Sequence, residues 1–146
     1  MSPAPVLSGG CLCGAIRYHS SNAPFDADHC HCRQCQRSVG SVLASWMDFK
    51  RSQITWLTRS PVEYPSSEKI RRGFCPHCGA SISYRHLDHP DYLTLTIASL
   101  DNPNQVAPNY HIHTRSQVSW LQINDNCRRY PQQRTEPAPA PQQKNE

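Results

Sequence analysis

The sequence predicts a mostly β, single-domain protein of short antiparallel strands. Brief alternating or β-branched runs are separated by turn chemistry, and no window sustains the 3.6-residue apolar period of an amphipathic helix. In addition, the 8 cysteines fall into three tight clusters, with only Cys127 apart.

The predicted strands, in order, are Ala15–His19, Val42–Phe49, Gln53–Leu57, Lys69–Phe74, Ala80–Arg85 and Tyr92–Ile97. Between them lie Ser20-Ser21-Asn22-Ala23-Pro24, Arg59-Ser60-Pro61, Leu87-Asp88-His89-Pro90 and Asp101-Asn102-Pro103-Asn104, whose residues favour turns. One helical turn is expected after Cys32, over Arg33–Arg37, where an i, i+3 spacing sets Cys32 and Cys35 on one face. The 146 residues suffice for one domain, placed at 9–130 between a flexible N-terminus (1–8) and a disordered Pro/Gln-rich tail (131–146). That tail has no aliphatic side chain larger than alanine, so nothing in it offsets the entropy of ordering.

Hydrophobic content of 37% and 13 prolines leave a modest apolar core, which points to metal as part of the stabilising framework. The clusters are Cys11-Leu12-Cys13, Cys30-His31-Cys32-Arg33-Gln34-Cys35 and Cys75-Pro76-His77-Cys78-Gly79. A Cys-x-x-Cys turn can place two sulfurs about 2.3 Å from one tetrahedral zinc ion, and a following glycine permits the sharp turn. Two zinc ions per chain are predicted. Cys11, Cys13, Cys75 and Cys78 form a closed four-sulfur site, because two pairs complete a tetrahedron and tie together distant parts of the chain. Cys30, Cys32 and Cys35 hold the second ion with one position open, the pattern of a reactive rather than a structural site. A disulfide framework is the alternative, but Cys-x-Cys neighbours close a strained ring and the N-terminus lacks the features of a secretion signal. Reduced thiols fit a cytoplasmic location, and no apolar run is long enough to span a membrane.

The formal charge of +4 is sparse and lacks a Lys/Arg stripe, which argues against nucleic acid as a partner and suits a small acidic ligand. Three thiolates make zinc a weak Lewis acid toward water but a good acceptor for an incoming thiol.

In their order, Gly10-Cys11-Leu12-Cys13-Gly14, Cys30-His31-Cys32-Arg33-Gln34-Cys35, Arg72-Gly73-Phe74-Cys75-Pro76-His77-Cys78-Gly79, Leu100-Asp101-Asn102-Pro103, His111-Ile112 and Trp120 resemble glutathione-dependent formaldehyde-activating enzymes and centromere protein V. The resemblance runs from about residue 9 to 130. It implies a zinc-bearing β-tent fold and a carbon–sulfur lyase activity joining a thiol such as glutathione to formaldehyde as an S-hydroxymethyl adduct. The alternative is a non-catalytic zinc module of the centromere protein V type.

His31, flanked by two ligands, points away from the metal in an extended Cys-x-Cys and is expected to act as a nearby catalytic group rather than as the fourth ligand. His29 shares that face. Arg72 occupies the basic position before Phe-Cys and His111 a family landmark, and both are expected to bind substrate. Arg33, Arg37 and Arg71 read as exposed, Phe74 and Trp120 as core, Asp101 as a turn residue and Cys127 as a spare thiol.

Overall fold

The computed structural model describes residues 5–135 and the backbone of residues 142 and 143. Among these the strands are β1 (Leu7–Gly10), β2 (Arg17–Ser20), β3 (Asp26–Cys30), β4 (Ala44–Lys50), β5 (Ile54–Trp56), β6 (Val62–Pro65), β7 (Ile70–Phe74), β8 (Ser81–His86), β9 (Tyr92–Thr96), β10 (Val106–Ala107), β11 (Tyr110–Ile112), β12 (Arg128–Arg129) and β13 (Gln142–Gln143). The helix α1 (Arg33–Val39) lies between β3 and β4. An eight-stranded sheet runs in the order β12-β11-β3-β4-β9-β8-β7-β6, a second sheet is β1-β2-β5, and β10 pairs with β13.

Every predicted strand is present within a few residues, and the predicted helical turn after Cys32 is α1. Cys32 caps this helix, its sulfur accepting from the Cys35 amide at 3.3 Å, and Gly40 closes it with φ 71°. Not every pairing is antiparallel: β11 runs parallel to both β3 and β12. Within the N-terminus expected to be flexible over 1–8, Leu7 and Ser8 pair in β1 and Leu7 is buried against the core, while residues 1–4 lie outside the described residues. Within the expected tail, Pro131–Thr135 are described, and Arg134 reaches Asp26 at 3.0 Å with its guanidinium over the Tyr110 ring.

One face of the large sheet and the inner face of the small sheet enclose the main core of Leu7, Ile16, Tyr18, Met47, Phe49, Ile82, Leu93 and Leu95. Period-2 alternation sends neighbouring residues to the opposite face. Along β3 and β4, Asp28 is in register with Trp46 and Cys30 with Ala44; onward, Asp48 meets Thr94, Tyr84 meets Thr94 and Arg72 meets Tyr84. These partners share the face away from the main core, so one register sets a polar row beside a cysteine cluster. Trp120, expected in the core, is 72% exposed: its place on a loop beyond β11 offers no sheet face to cover it.

Candidate functional site

All eight cysteines are free, and seven gather in two groups as the spacing predicts: Cys11, Cys13, Cys75 and Cys78, and Cys30, Cys32 and Cys35, with sulfurs in each group within 4.8 Å of one another. In the first group Cys11 and Cys13 are 3.7 Å apart and Cys13 and Cys75 3.8 Å. Four sulfurs about 2.3 Å from a tetrahedral ion lie about 3.8 Å from one another, so the donor set fits such a metal. Gly14 and Gly79, with φ 84° and 77°, turn the chain back after each pair, and backbone amides face the sulfurs: Ile16 N–H to Cys11 at 3.2 Å and His77 N–H to Cys75 at 3.4 Å. Against its burial, the Ile16 amide and the neighbouring thiols bring Cys11 down to about 6. Cys75 is fully buried and Cys11 nearly so, both within the main core.

The three-sulfur group is built differently. Cys30 ends β3 while Cys32 and Cys35 belong to the first turn of α1, so the helix start folds two sulfurs over the third. Hydrogen bonds from Cys30 and Cys35 hold Cys32 well below the usual thiol range, making it the natural thiolate of the set. These sulfurs form part of the wall of a cavity of about 600 Å³, a size typical of small-molecule sites. Trp46 and Tyr84 supply aromatic walls, their ring centroids 6.0 Å apart, and Arg72, Asp28, Asp48 and His113 supply charge or polarity.

Arg72, predicted to bind substrate, lies in this wall. It is buried, donates to Cys35 Sγ at 3.7 Å and to Ser66 Oγ at 3.3 Å, and lies 5.2 Å from the centre of the Tyr84 ring. His31 and His111 do not reach the cavity. Both are 1% exposed and joined to each other, His31 Nε2 to His111 Nδ1 at 2.8 Å, while His111 Nε2 meets Asp125 Oδ2 at 2.9 Å. The register of His111 with His29 on parallel strands directs the His111 ring to the side of β3 away from Asp28 and Cys30, and neither His111 nor His31, expected to bind substrate and to act in catalysis, lines this cavity.

The histidine in the cavity is His113, whose backbone is left-handed with φ 56°, a conformation uncommon for a residue with a Cβ and concentrated at functional sites. Sequence reasoning had no signal for it beyond its position two residues past His111. Asp28 and Asp48 were also missed. Burial, with Asp48 and Asp26 nearby, pushes Asp28 well above the carboxylate range, and its Oδ1 has no partner. Burial raises Asp48 to about 6, and the Thr94 hydroxyl donates to its Oδ1 at 2.6 Å. Cys127 joins neither sulfur group; its thiol donates to the Pro108 carbonyl at 3.5 Å. Asp101 makes a two-pronged ion pair with Arg17, at 2.8 and 2.6 Å, while the neighbouring Asn102 caps the turn.

Raised carboxyl pKa values carry a stability consequence. For Asp48 the folded state binds its proton more tightly than the unfolded chain, so its contribution is fully present below about pH 4 and is lost as pH rises through about 6. Asp48→Asn is thus expected to match the parent at pH 4 and to be more stable by about 3 kcal/mol at pH 8. Urea unfolding at the two pH values checks this, and an equal difference at both would contradict it.

Fold and sulfur geometry define a β protein with two cysteine centres suited to metal, a four-sulfur set anchored in the core through Cys11 and Cys75 with Cys13 at the surface, and a three-sulfur set opening onto a cavity. The family described as glutathione-dependent formaldehyde-activating enzyme matches residues 6–116, and the chain belongs to that family. No curated protein matches it. A crystal structure of a Rhodobacter sphaeroides protein is similar in fold, with a TM-score of 0.54 and 23% identity over 66% of this chain and 89% of that one. Among the described residues, no helix is long and apolar enough to cross a membrane.

Proposed function

We propose that the protein is a zinc-dependent carbon–sulfur lyase acting on glutathione or a related thiol adduct, with S-hydroxymethylglutathione as the reference substrate. One observation supports this reading: the three-sulfur group, which has no fourth ligand among the described residues, has all three cysteines in the wall of the 600 Å³ cavity beside the buried Arg72, whereas the four-sulfur group is already complete and contributes only Cys11 to the wall of another cavity. Zinc held by Cys30, Cys32 and Cys35 would supply a position at which an incoming thiol loses its proton at neutral pH. The cysteine sets fit zinc because sulfur ligands in tetrahedral array favour it.

The chain's own residues do the rest. The buried Arg72 fork offers its remaining N–H groups to a carboxylate of the tripeptide while resting on Tyr84. Trp46 and Tyr84 cover the reacting carbon and exclude water. In the forward direction the thiolate sulfur forms a bond to the aldehyde carbon, the C=O π pair moves to oxygen, and that oxygen takes a proton. Asp28, which lies on the same strand face as Cys30 and has a free carboxyl oxygen, is placed to donate it. The reverse sequence cleaves the carbon–sulfur bond, with Asp28 taking the proton back. His31 and His111 act as positioning residues, since they fix the strand that carries Cys30 without reaching the cavity.

Calorimetric titration tests the binding half of the proposal. Reduced glutathione should bind the zinc-loaded protein, and Arg72→Ala should weaken binding about tenfold or more, the range for loss of a hydrogen bond to a charged group. Arg72→Lys should recover little, because a point charge does not reproduce the planar fork. Absence of glutathione binding, or equal affinity in Arg72→Ala, would contradict the assignment.

A further inference from the structure

We propose that His29, His111 and Asp125 form a third site, for a divalent transition-metal ion, on the face of β3 opposite the cavity. One ring nitrogen from each histidine and one carboxylate oxygen of Asp125 lie within 4.8 Å of one another. The topology creates the pairing: His111 is the register partner of His29 on adjacent parallel strands, so both side chains leave the sheet on the same side. Their ring centroids are 4.6 Å apart, inclined by 31°.

Each prospective ligand is held by a second partner that leaves a donor atom over. His29 Nδ1 is 2.7 Å from Ser45 Oγ, which leaves Nε2 with a lone pair when Nδ1 carries the proton. His111 Nδ1 is 2.8 Å from His31 Nε2, which leaves Nε2 toward Asp125. The other oxygen of Asp125, Oδ1, accepts from the Arg129 guanidinium at 2.7 Å and from the Cys127 amide at 3.1 Å, so the carboxylate is already oriented. Imidazoles fixed through the nitrogen that does not ligate, beside a carboxylate anchored through its other oxygen, are what a metal site requires of its surroundings. Two imidazoles and one carboxylate suit zinc, cobalt or iron and leave at least one position open.

His111 Nε2 is free to ligate when the ring proton sits on Nδ1, where His31 Nε2 accepts it. The site contains no sulfur and stands independently of the function proposed for the cysteine centres.

Equilibrium dialysis of the full-length protein against buffered micromolar zinc, with metal analysis and X-ray absorption, tests the proposal. The parent should hold one ion per chain more than Asp125→Asn or His29→Ala, and the additional ion should show only nitrogen and oxygen neighbours. Cys32→Ser should retain it. In the unaltered protein, the imidazole 15N resonances of His29 and His111 should shift as this last equivalent binds. Equal metal content in parent and both variants, sulfur around the additional ion, or unmoved imidazole resonances would each overturn the third site.

Discussion

Cys75→Ser is expected to abolish cooperative folding at ordinary temperature. Cys75 is fully buried in the main core, and its sulfur stands 3.8 Å from Cys13 on a segment remote in sequence. The four-sulfur group joins the turn after β1 to the turn after β7, so an ion held there would contribute to folding itself. Metal binding by structural sites of this kind is worth about 10–16 kcal/mol in small peptides, as much as the whole stability of an ordinary domain. Removing one ligand need forfeit only part of that to lower the melting temperature by ~10 °C or more. Thermal melts followed by circular dichroism, with metal analysis of the same samples, provide the check. A variant melting within a few degrees of the parent would show that the closed centre is not structural.

Cys32→Ser should behave in the opposite way. Cys32 is only partly buried, packs against a satellite cluster rather than the main core, and its sulfur caps α1. Serine is itself a good N-cap, so the helix start survives. The three-sulfur centre, however, drops to two ligands and loses the group most readily held as thiolate. The expected result is a melting temperature close to the parent's, loss of the more easily chelated ion, and loss of glutathione-dependent turnover by a factor of about 100 or more. A large drop in melting temperature with turnover preserved would reverse the two centres.

Much of this was legible in the sequence because it rests on local chemistry. Cysteine spacing and the glycines after each pair identify both sulfur groups, and apolar alternation marks strands such as β4, β8 and β9. The rest depends on what packs across the sheet. Strand β3, Asp26-Ala27-Asp28-His29-Cys30, carries carboxylates on the face that becomes the cavity, so its period reads as polar loop. β1 is hidden by two glycines, Gly9 and Gly10, and an added Cβ at Gly9 would lie 2.5 Å from the Ser99 carbonyl oxygen. The parallel pairing of β11 with β3 has no local signature at all. It buries His111 and His31 away from the cavity and carries the chain on to His113, which lines it. Arg72 was recoverable because it adjoins the Cys75 turn, and its register with Tyr84 brings it to the cavity.

The activity proposed for the open three-sulfur centre is to make and break a carbon–sulfur bond. Exchange NMR of a mixture of glutathione and 13C-formaldehyde reads this directly, as the rate at which the labelled carbon passes between free aldehyde and S-hydroxymethylglutathione. Zinc-loaded protein should accelerate the exchange above the uncatalysed rate in both directions, and Cys32→Ser should return it to that rate while remaining folded. An exchange rate unchanged by the parent protein at full zinc occupancy, or one that Cys32→Ser leaves intact, would contradict it.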